Sequence, residues 1–335
     1  MGLFSKNLGV DLGTVNVLIC DNEQIVLQEP TLVALTVEDE RIVEIGQPAR
    51  EMFGKVDDED IQVVRPLQNG VIADYEVTEA MLSHFFSKVA GRVRLFKPTV
   101  MISVPYGANS VERRAVHEAT LRAGAREVFL IWQPLAAAIG AGLPVGTPAG
   151  DMVVNIGGGI TEAAVLTMNN IVRCESGRIG GLRLDEAIQA YVRRKYNLTI
   201  GQPTAESVKI QIGAAFHVGQ ELAMEVQGRD NVSGLPRTIT ITTGEVIEAM
   251  YEPLHEIADV VKRVLANTPP ELASDIIDRG IVLTGGGALL RGIEQFLTDE
   301  TGVPVYRADN AVIAVAVGAG RALNDPAILR RVAAV

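Results

Sequence analysis

A short pattern occurs twice in this chain. Near the start the sequence reads Leu8-Gly-Val-Asp11-Leu-Gly13-Thr14-Val15-Asn16-Val-Leu-Ile-Cys20, with Asn22 and Gln24-Ile-Val-Leu after it. Near the middle it reads Met152-Val-Val-Asn155-Ile-Gly157-Gly158-Gly159-Ile160-Thr161-Glu162-Ala-Ala-Val-Leu166, with Asn169-Asn170-Ile-Val following. Each copy predicts a β-branched strand, a tight Gly/Thr turn, a second strand, and a third strand after an Asn-containing turn. A glycine turn between strands lets backbone N–H groups face an anion with no Cβ in the way. Two such turns, one in each half of the molecule, suit a polyphosphate gripped from both sides. Read singly, each copy is equally well a plain hairpin; the repetition favours the binding reading. Neither copy is a Walker A loop or a Rossmann Gly-x-Gly-x-x-Gly.

Two further segments carry chemistry. Ile281-Val-Leu-Thr284-Gly285-Gly286-Gly287-Ala288-Leu289-Leu290-Arg291-Gly292 reads as a strand, three glycines and an amphipathic helix, suited to close backbone approach to a flat ligand such as a purine, or to a simple strand-to-helix turn. In Thr204-Ala-Glu206-Ser-Val-Lys209, Glu206 and Lys209 share one helical face, as site residues or as a solvated ion pair.

Composition narrows the field. With 335 residues and 47% apolar content, the chain can fill about two cores. A formal charge of −11 gives no electrostatic footprint for DNA or RNA, so no nucleic-acid partner is expected. Cys20 and Cys174 lie far apart and offer neither a disulfide framework nor zinc spacing, which suits a reducing cytoplasm. His84, His117, His217 and His255 form no metal motif. No apolar run approaches the about 18 residues of a membrane span, and the extreme N-terminus is too quickly charged for a signal peptide.

Across nearly its whole length the chain resembles the MreB family of bacterial actins, within the superfamily of actins, Hsp70 ATPases and sugar kinases. The resemblance rests on Asp11-Leu-Gly-Thr14, Arg65-Pro-Leu67, Gly70-Val-Ile-Ala-Asp74, Val111-Glu-Arg-Arg-Ala115 and Gly124-Ala-Arg-Glu-Val-Phe-Leu-Ile131. It continues through Pro134-Leu-Ala-Ala-Ala-Ile-Gly-Ala-Gly-Leu-Pro144, Ile156-Gly-Gly-Gly159, Arg178-Ile-Gly-Gly181, Tyr191-Val-Arg-Arg194 and Leu283-Thr-Gly-Gly-Gly-Ala-Leu-Leu-Arg291. The resemblance implies an α/β, actin-like (ribonuclease H-like) duplicated two-domain fold, with four subdomains around a nucleotide cleft. Residues 1–30, 67–144 and 315–335 would form the first large subdomain and 31–66 its small insertion. Residues 145–180 and 247–314 would form the second large subdomain and 181–246 its small one. The Ala/Gly-rich Pro134–Gly142 segment would allow close packing at the interdomain hinge.

Carried over residue by residue, the ligand would be ATP or ADP with Mg2+. Thr14, Val15 and Asn16 would lie in the first phosphate loop, and Gly157, Gly158 and Gly159 in the second. Glu206 and Lys209 would flank ribose and adenine, and Gly286, Gly287 and Ala288 would close on the base. Asp11 would face the metal through water. Three positions depart from the family. Gln133 stands where a water-positioning glutamate is usual, Asn155 where an aspartate orders water around the metal, and Ile160 where a threonine hydroxyl holds the attacking water. A carboxamide orients water but takes no proton, and isoleucine offers no hydrogen bond. Leu182 likewise replaces an aspartate, and Gln211 a common glutamate. Slow or absent hydrolysis with nucleotide binding retained is therefore expected, the rival expectation being compensation by other groups.

The resemblance also implies head-to-tail self-assembly into filaments, association with the cell-wall elongation machinery, and a peripheral location on the cytoplasmic face of the cell membrane. Candidate contacts with an anionic membrane are Leu3 and Phe4 with Lys6, and Leu95 and Phe96 between basic residues after a helix expected over Thr78–Val89. Read without the resemblance, Leu95 and Phe96 would cap that helix and pack inward. The alternatives are an actin-superfamily ATPase that positions another cargo and, less favoured for want of an acceptor pocket, a small-molecule kinase.

Overall fold

The structure is a computed structural model and describes residues 6–57, 59–90, 97–217 and 219–332. Two five-stranded sheets of identical topology carry it. In the first, β1 (Asn7–Leu12), β2 (Asn16–Asp21) and β3 (Gln24–Pro30) form an antiparallel meander. β4 (Thr99–Val104) then adds parallel to β1, and β5 (Glu127–Trp132) parallel to β4. The second sheet repeats the pattern. β6 (Asp151–Ile156), β7 (Thr161–Thr167) and β8 (Asn170–Gly177) make the meander. β9 (Ile281–Thr284) then lies parallel to β6 and β10 (Val305–Arg307) parallel to β9.

The copies agree in detail. The β2–β3 turn holds Asn22 and Glu23 at positive φ, and the β7–β8 turn holds Met168 and Asn169 likewise, the primed-turn geometry that matches strand twist. The register slips at Ile19/Cys20 in one meander and at Val165/Leu166 in the other, two residues before each turn. The central strand β6 is buried along its whole length, Asp151 and Asn155 included, as a strand covered on both faces is.

Each meander is followed by a small insert. The first holds the sheet Ile42–Ile45, Val33–Thr36 and Ile61–Val64; the second holds Leu198–Thr199, Ala223–Asp230 and Pro236–Thr242. The helix expected over Thr78–Val89 runs Tyr75–Ala90. It starts earlier because the Asp74 side chain accepts the Val77 N–H, supplying an N-cap that the apolar spacing alone did not reveal.

The halves are joined by the helix Gln133–Gly140, which packs against the helix Ala314–Asn324. Their backbones nearly touch: a Cβ on Gly140 would lie 1.8 Å from the Ala314 carbonyl oxygen, and one on Gly318 would lie 1.8 Å from that of Ala136. Apolar clusters around Val10 and Phe85 and around Val154, Ile188 and Val261 fill the two halves, and a third around Ile131, Ala137, Val153 and Val315 bridges them. Among the described residues no helix is long and apolar enough to cross a membrane.

Candidate nucleotide site

The two glycine turns meet edge to edge and together line a cavity of about 520 Å³ between the halves. Both close by the same bond, Gly13 N–H to the Asn16 carbonyl at 3.2 Å and Gly157 N–H to the Ile160 carbonyl at 2.9 Å. A Cβ on Gly158 would fall 2.1 Å from Val15 Cγ2, and one on Gly159 would fall 2.7 Å from Thr14 Oγ1. The glycines are therefore demanded by the opposite turn. Thr14 Oγ1 itself accepts the Gly70 N–H at 2.9 Å.

Asp11, at the end of β1, reaches the cavity. Its Oδ1 accepts from Ser103 Oγ at 2.9 Å and from Gln133 Nε2 at 3.5 Å. Burial raises its pKa to about 6, and those two hydrogen bonds offset only part of the rise. Gln133 Oε1 is buried without a partner among the described residues. Asn155 Oδ1 accepts from Thr284 Oγ1 at 3.2 Å. Ile160 packs toward Gly70, whose own Cβ position would lie 3.0 Å from Ile160 Cδ1. Gln133, Asn155 and Ile160 all line the cavity beside the turns, so the three departures from the family pattern fall in one place. Among the described residues no group of three or more His, Cys, Asp or Glu side chains gathers as a metal site. One carboxylate, with an unpaired amide oxygen nearby, fits magnesium, which keeps most of its waters and is completed by phosphate oxygens.

At the other end, Gly285 and Gly287 are pressed on Ile156, a Cβ on either falling within 2.3 Å of it, while Gly286 has open space before it. The expected amphipathic helix does not follow at once: Gly286–Leu289 is a 3₁₀ turn, and the helix begins at Ile293. Ala288 is fully buried in the core beneath this turn, so its side chain does not face the cavity as expected. The tight turn rotates it inward and leaves Gly285, Gly286 and Gly287 to line the cavity.

Glu206 and Lys209, on the helix Gln202–Ile212, both line the cavity, each with a partner other than its neighbour. Lys209 Nζ lies 2.7 Å from Asp185 Oδ1 and donates to the Gly181 carbonyl at 2.8 Å, which brings it beside the second turn. Gly181 and Leu182 in turn donate their N–H groups to the carbonyls of Gly157 and Gly158. Glu206 pairs with Arg50 from the opposite insert.

Sequence reasoning missed Arg50, Asp185, Arg291 and Glu162. Arg291 caps the Glu206 helix by donating to the carbonyls of Ile212 and Gly213 at 2.7 and 2.9 Å. Glu162, wholly buried on β7, accepts the Tyr106 N–H of the other half at 2.8 Å and leaves Oε2 without a partner among the described residues. Burial drives its pKa up to about 8. A glutamate within an apolar strand was the signal that could have found it.

A profile of the family described as MreB/Mbl protein matches residues 5–331. The chain belongs to the MreB/Mbl family. The cell shape-determining protein MreB of Escherichia coli K12 is 48% identical over 329 residues, covering 96% of this chain and 94% of the relative. The cell shape-determining protein Mbl of Bacillus subtilis 168 is 45% identical over 324 residues, covering 96% and 97%. Among solved structures, MreB5 of Spiroplasma citri bound to AMPPNP superposes with a TM-score of 0.89 at 36% identity, covering 95% of both chains. The fold of this MreB/Mbl chain is thus actin-like. The membrane-contact candidates Leu3, Phe4, Leu95 and Phe96 lie outside the described residues. Lys6, read as the headgroup partner of Leu3 and Phe4, lies 3.4 Å from Asp21 Oδ2 and donates to the Val89 carbonyl at 3.2 Å.

Proposed function

We propose that this chain is an adenine-nucleotide-binding cytoskeletal protein that polymerises into filaments, supports cell shape at the inner face of the membrane, and hydrolyses its nucleotide slowly. The observation that carries the reading is the pair of duplicated glycine turns that meet and together line a cavity of about 520 Å³. Its relative MreB5 was solved with AMPPNP and with ADP, and the MreB and Mbl relatives are named for cell shape.

On this reading Thr14, Val15, Asn16 and Gly157 to Gly159 hold the phosphates, Glu206 and Lys209 the ribose side, and Gly286 and Gly287 the base. Asp11 would hold magnesium through water; the ion, when bound, neutralises phosphate charge. The inserts 31–66 and 181–246 are the two lips of the cleft. Water is poorly positioned because Ile160 places a methyl group where a hydroxyl would act, while Gln133 and Asn155 supply amides in place of carboxylates. Leu3, Phe4, Leu95 and Phe96 would insert into an anionic membrane, and the elongation machinery would be the filament's partner.

The test is pelleting and phosphate release measured together, with ATP and magnesium, with and without anionic liposomes. Nucleotide-dependent pelleting that increases with liposomes, accompanied by negligible phosphate release, is expected. Phosphate release in step with assembly would overturn slow hydrolysis. Absence of nucleotide-dependent assembly would overturn the filament reading, and phosphorylation of an added sugar would establish a kinase.

A further inference from the structure

Arg50 and Glu206 come from opposite lips of the cleft. Arg50 sits on the short helix Gln47–Met52 of the first insert, Glu206 on the helix Gln202–Ile212 of the second. Arg50 Nη2 donates to Glu206 Oε2 at 2.8 Å, and both residues line the large cavity. Their side chains are 40% and 19% exposed, so the pair is shielded on the Glu206 side. Beneath it lies a small hollow whose walls come from both lips, among them Leu32, Phe53 and Arg65 from one and Gln202 and Pro203 from the other. Arg65 Nη1 is buried there without a partner among the described residues, and its guanidinium stands 5.9 Å from the Phe53 ring. Arg50 and Arg65 thus make the first lip cationic where it meets Glu206.

Two properties follow from this placement. The contact engages Oε2 of Glu206, and the other carboxylate oxygen can accept from a ligand hydroxyl. The carboxylate that would hold the ribose is therefore oriented by a guanidinium from across the cleft. In addition, the lips cannot part without separating this pair, which costs a Coulombic attraction and leaves a carboxylate to be solvated again.

We infer that Arg50 is a positioning residue of the nucleotide site, fixing Glu206 and fastening the two lips over the bound ligand so that nucleotide leaves only after the Arg50–Glu206 pair breaks. The inference rests on the nucleotide reading above. An ion pair of this exposure changes a dissociation rate by about two- to fivefold and an association rate little.

The experiment is stopped-flow release of N-methylanthraniloyl-ADP with magnesium from the full chain, chased with excess ADP, over a range of KCl concentrations. Wild-type release is expected to quicken as salt screens the pair. Arg50→Ala is expected to release about two- to fivefold faster, with little dependence on salt and association within about twofold of wild type. Arg50→Lys, which keeps the charge, is expected to fall between them and to retain the salt dependence. A purely structural role for Arg50 would lower the melting temperature without altering the salt dependence. Wild-type binding with unchanged release from Arg50→Ala overturns the clasp alone. A wild-type chain that binds no nucleotide overturns the nucleotide reading and the clasp with it.

Discussion

Replacing Glu162 by Gln tests whether the buried contact between the two halves carries a neutral acid. Glu162 is fully buried, accepts the Tyr106 N–H, and has an oxygen without a partner among the described residues. Burial raises its pKa from 4.5 to about 8, with the nearby Asp11 charge adding to the rise and the Tyr106 hydrogen bond opposing it. Below pH 4.5 the group is protonated in both folded and unfolded chains, and titration costs nothing. Between 4.5 and about 8 the unfolded chain gives up the proton that the folded chain keeps, so stability falls as pH rises. Each pH unit of that window removes about 1.4 kcal/mol, and the whole window roughly 5 kcal/mol. Gln keeps the acceptor for Tyr106 and cannot ionise. Glu162→Gln should therefore melt close to wild type at pH 5 and above it at pH 8.5, by roughly 10 °C. Thermal melts of both proteins across this range, without nucleotide, decide the matter. Parallel curves, or a wild type whose stability rises with pH in this window, would refute the assignment.

Two further outcomes are expected. Restoring hydroxyl and carboxylate together, Ile160→Thr with Asn155→Asp, should raise phosphate release about tenfold or more, at a stability cost of about 1–2 kcal/mol from the lost packing of Ile160. An unchanged rate, with nucleotide still bound, would show that these positions do not limit hydrolysis. Gly318→Ala would place a Cβ 1.8 Å from the Ala136 carbonyl oxygen and force the two joining helices apart, at a cost of about 3 kcal/mol or more, visible as a lower melting temperature. Wild-type melting would mean that this helix crossing yields easily.

The meanders were legible because their information is local. Apolar runs, two-residue Asn-containing turns and glycines at strand ends set strand, turn and strand within about twenty residues each. The same locality made both glycine turns readable and tied Gln133, Asn155 and Ile160 to the site through the family pattern. It also explains the misses. Ala288 stands beside two glycines in sequence, yet a 3₁₀ turn decides which of the three faces the cavity. Glu206 and Lys209 share a helical face, but each finds a partner elsewhere, Arg50 from the opposite lip and Asp185 on a neighbouring helix.

By itself, then, the sequence determined that this chain holds two copies of one phosphate-suited meander, with glycines at the turns and with Gln133, Asn155 and Ile160 departing from the family pattern. Only the tertiary structure decided that the copies meet and that Arg50 spans the lips. The same holds for Glu162, which reaches Tyr106 of the other half, and for Gly140 and Gly318, which bring two helices into backbone contact. Strand and turn preferences act over a few residues, whereas these contacts join groups up to 182 positions apart in the chain, from Ala136 to Gly318, and depend on how the sheets and inserts pack.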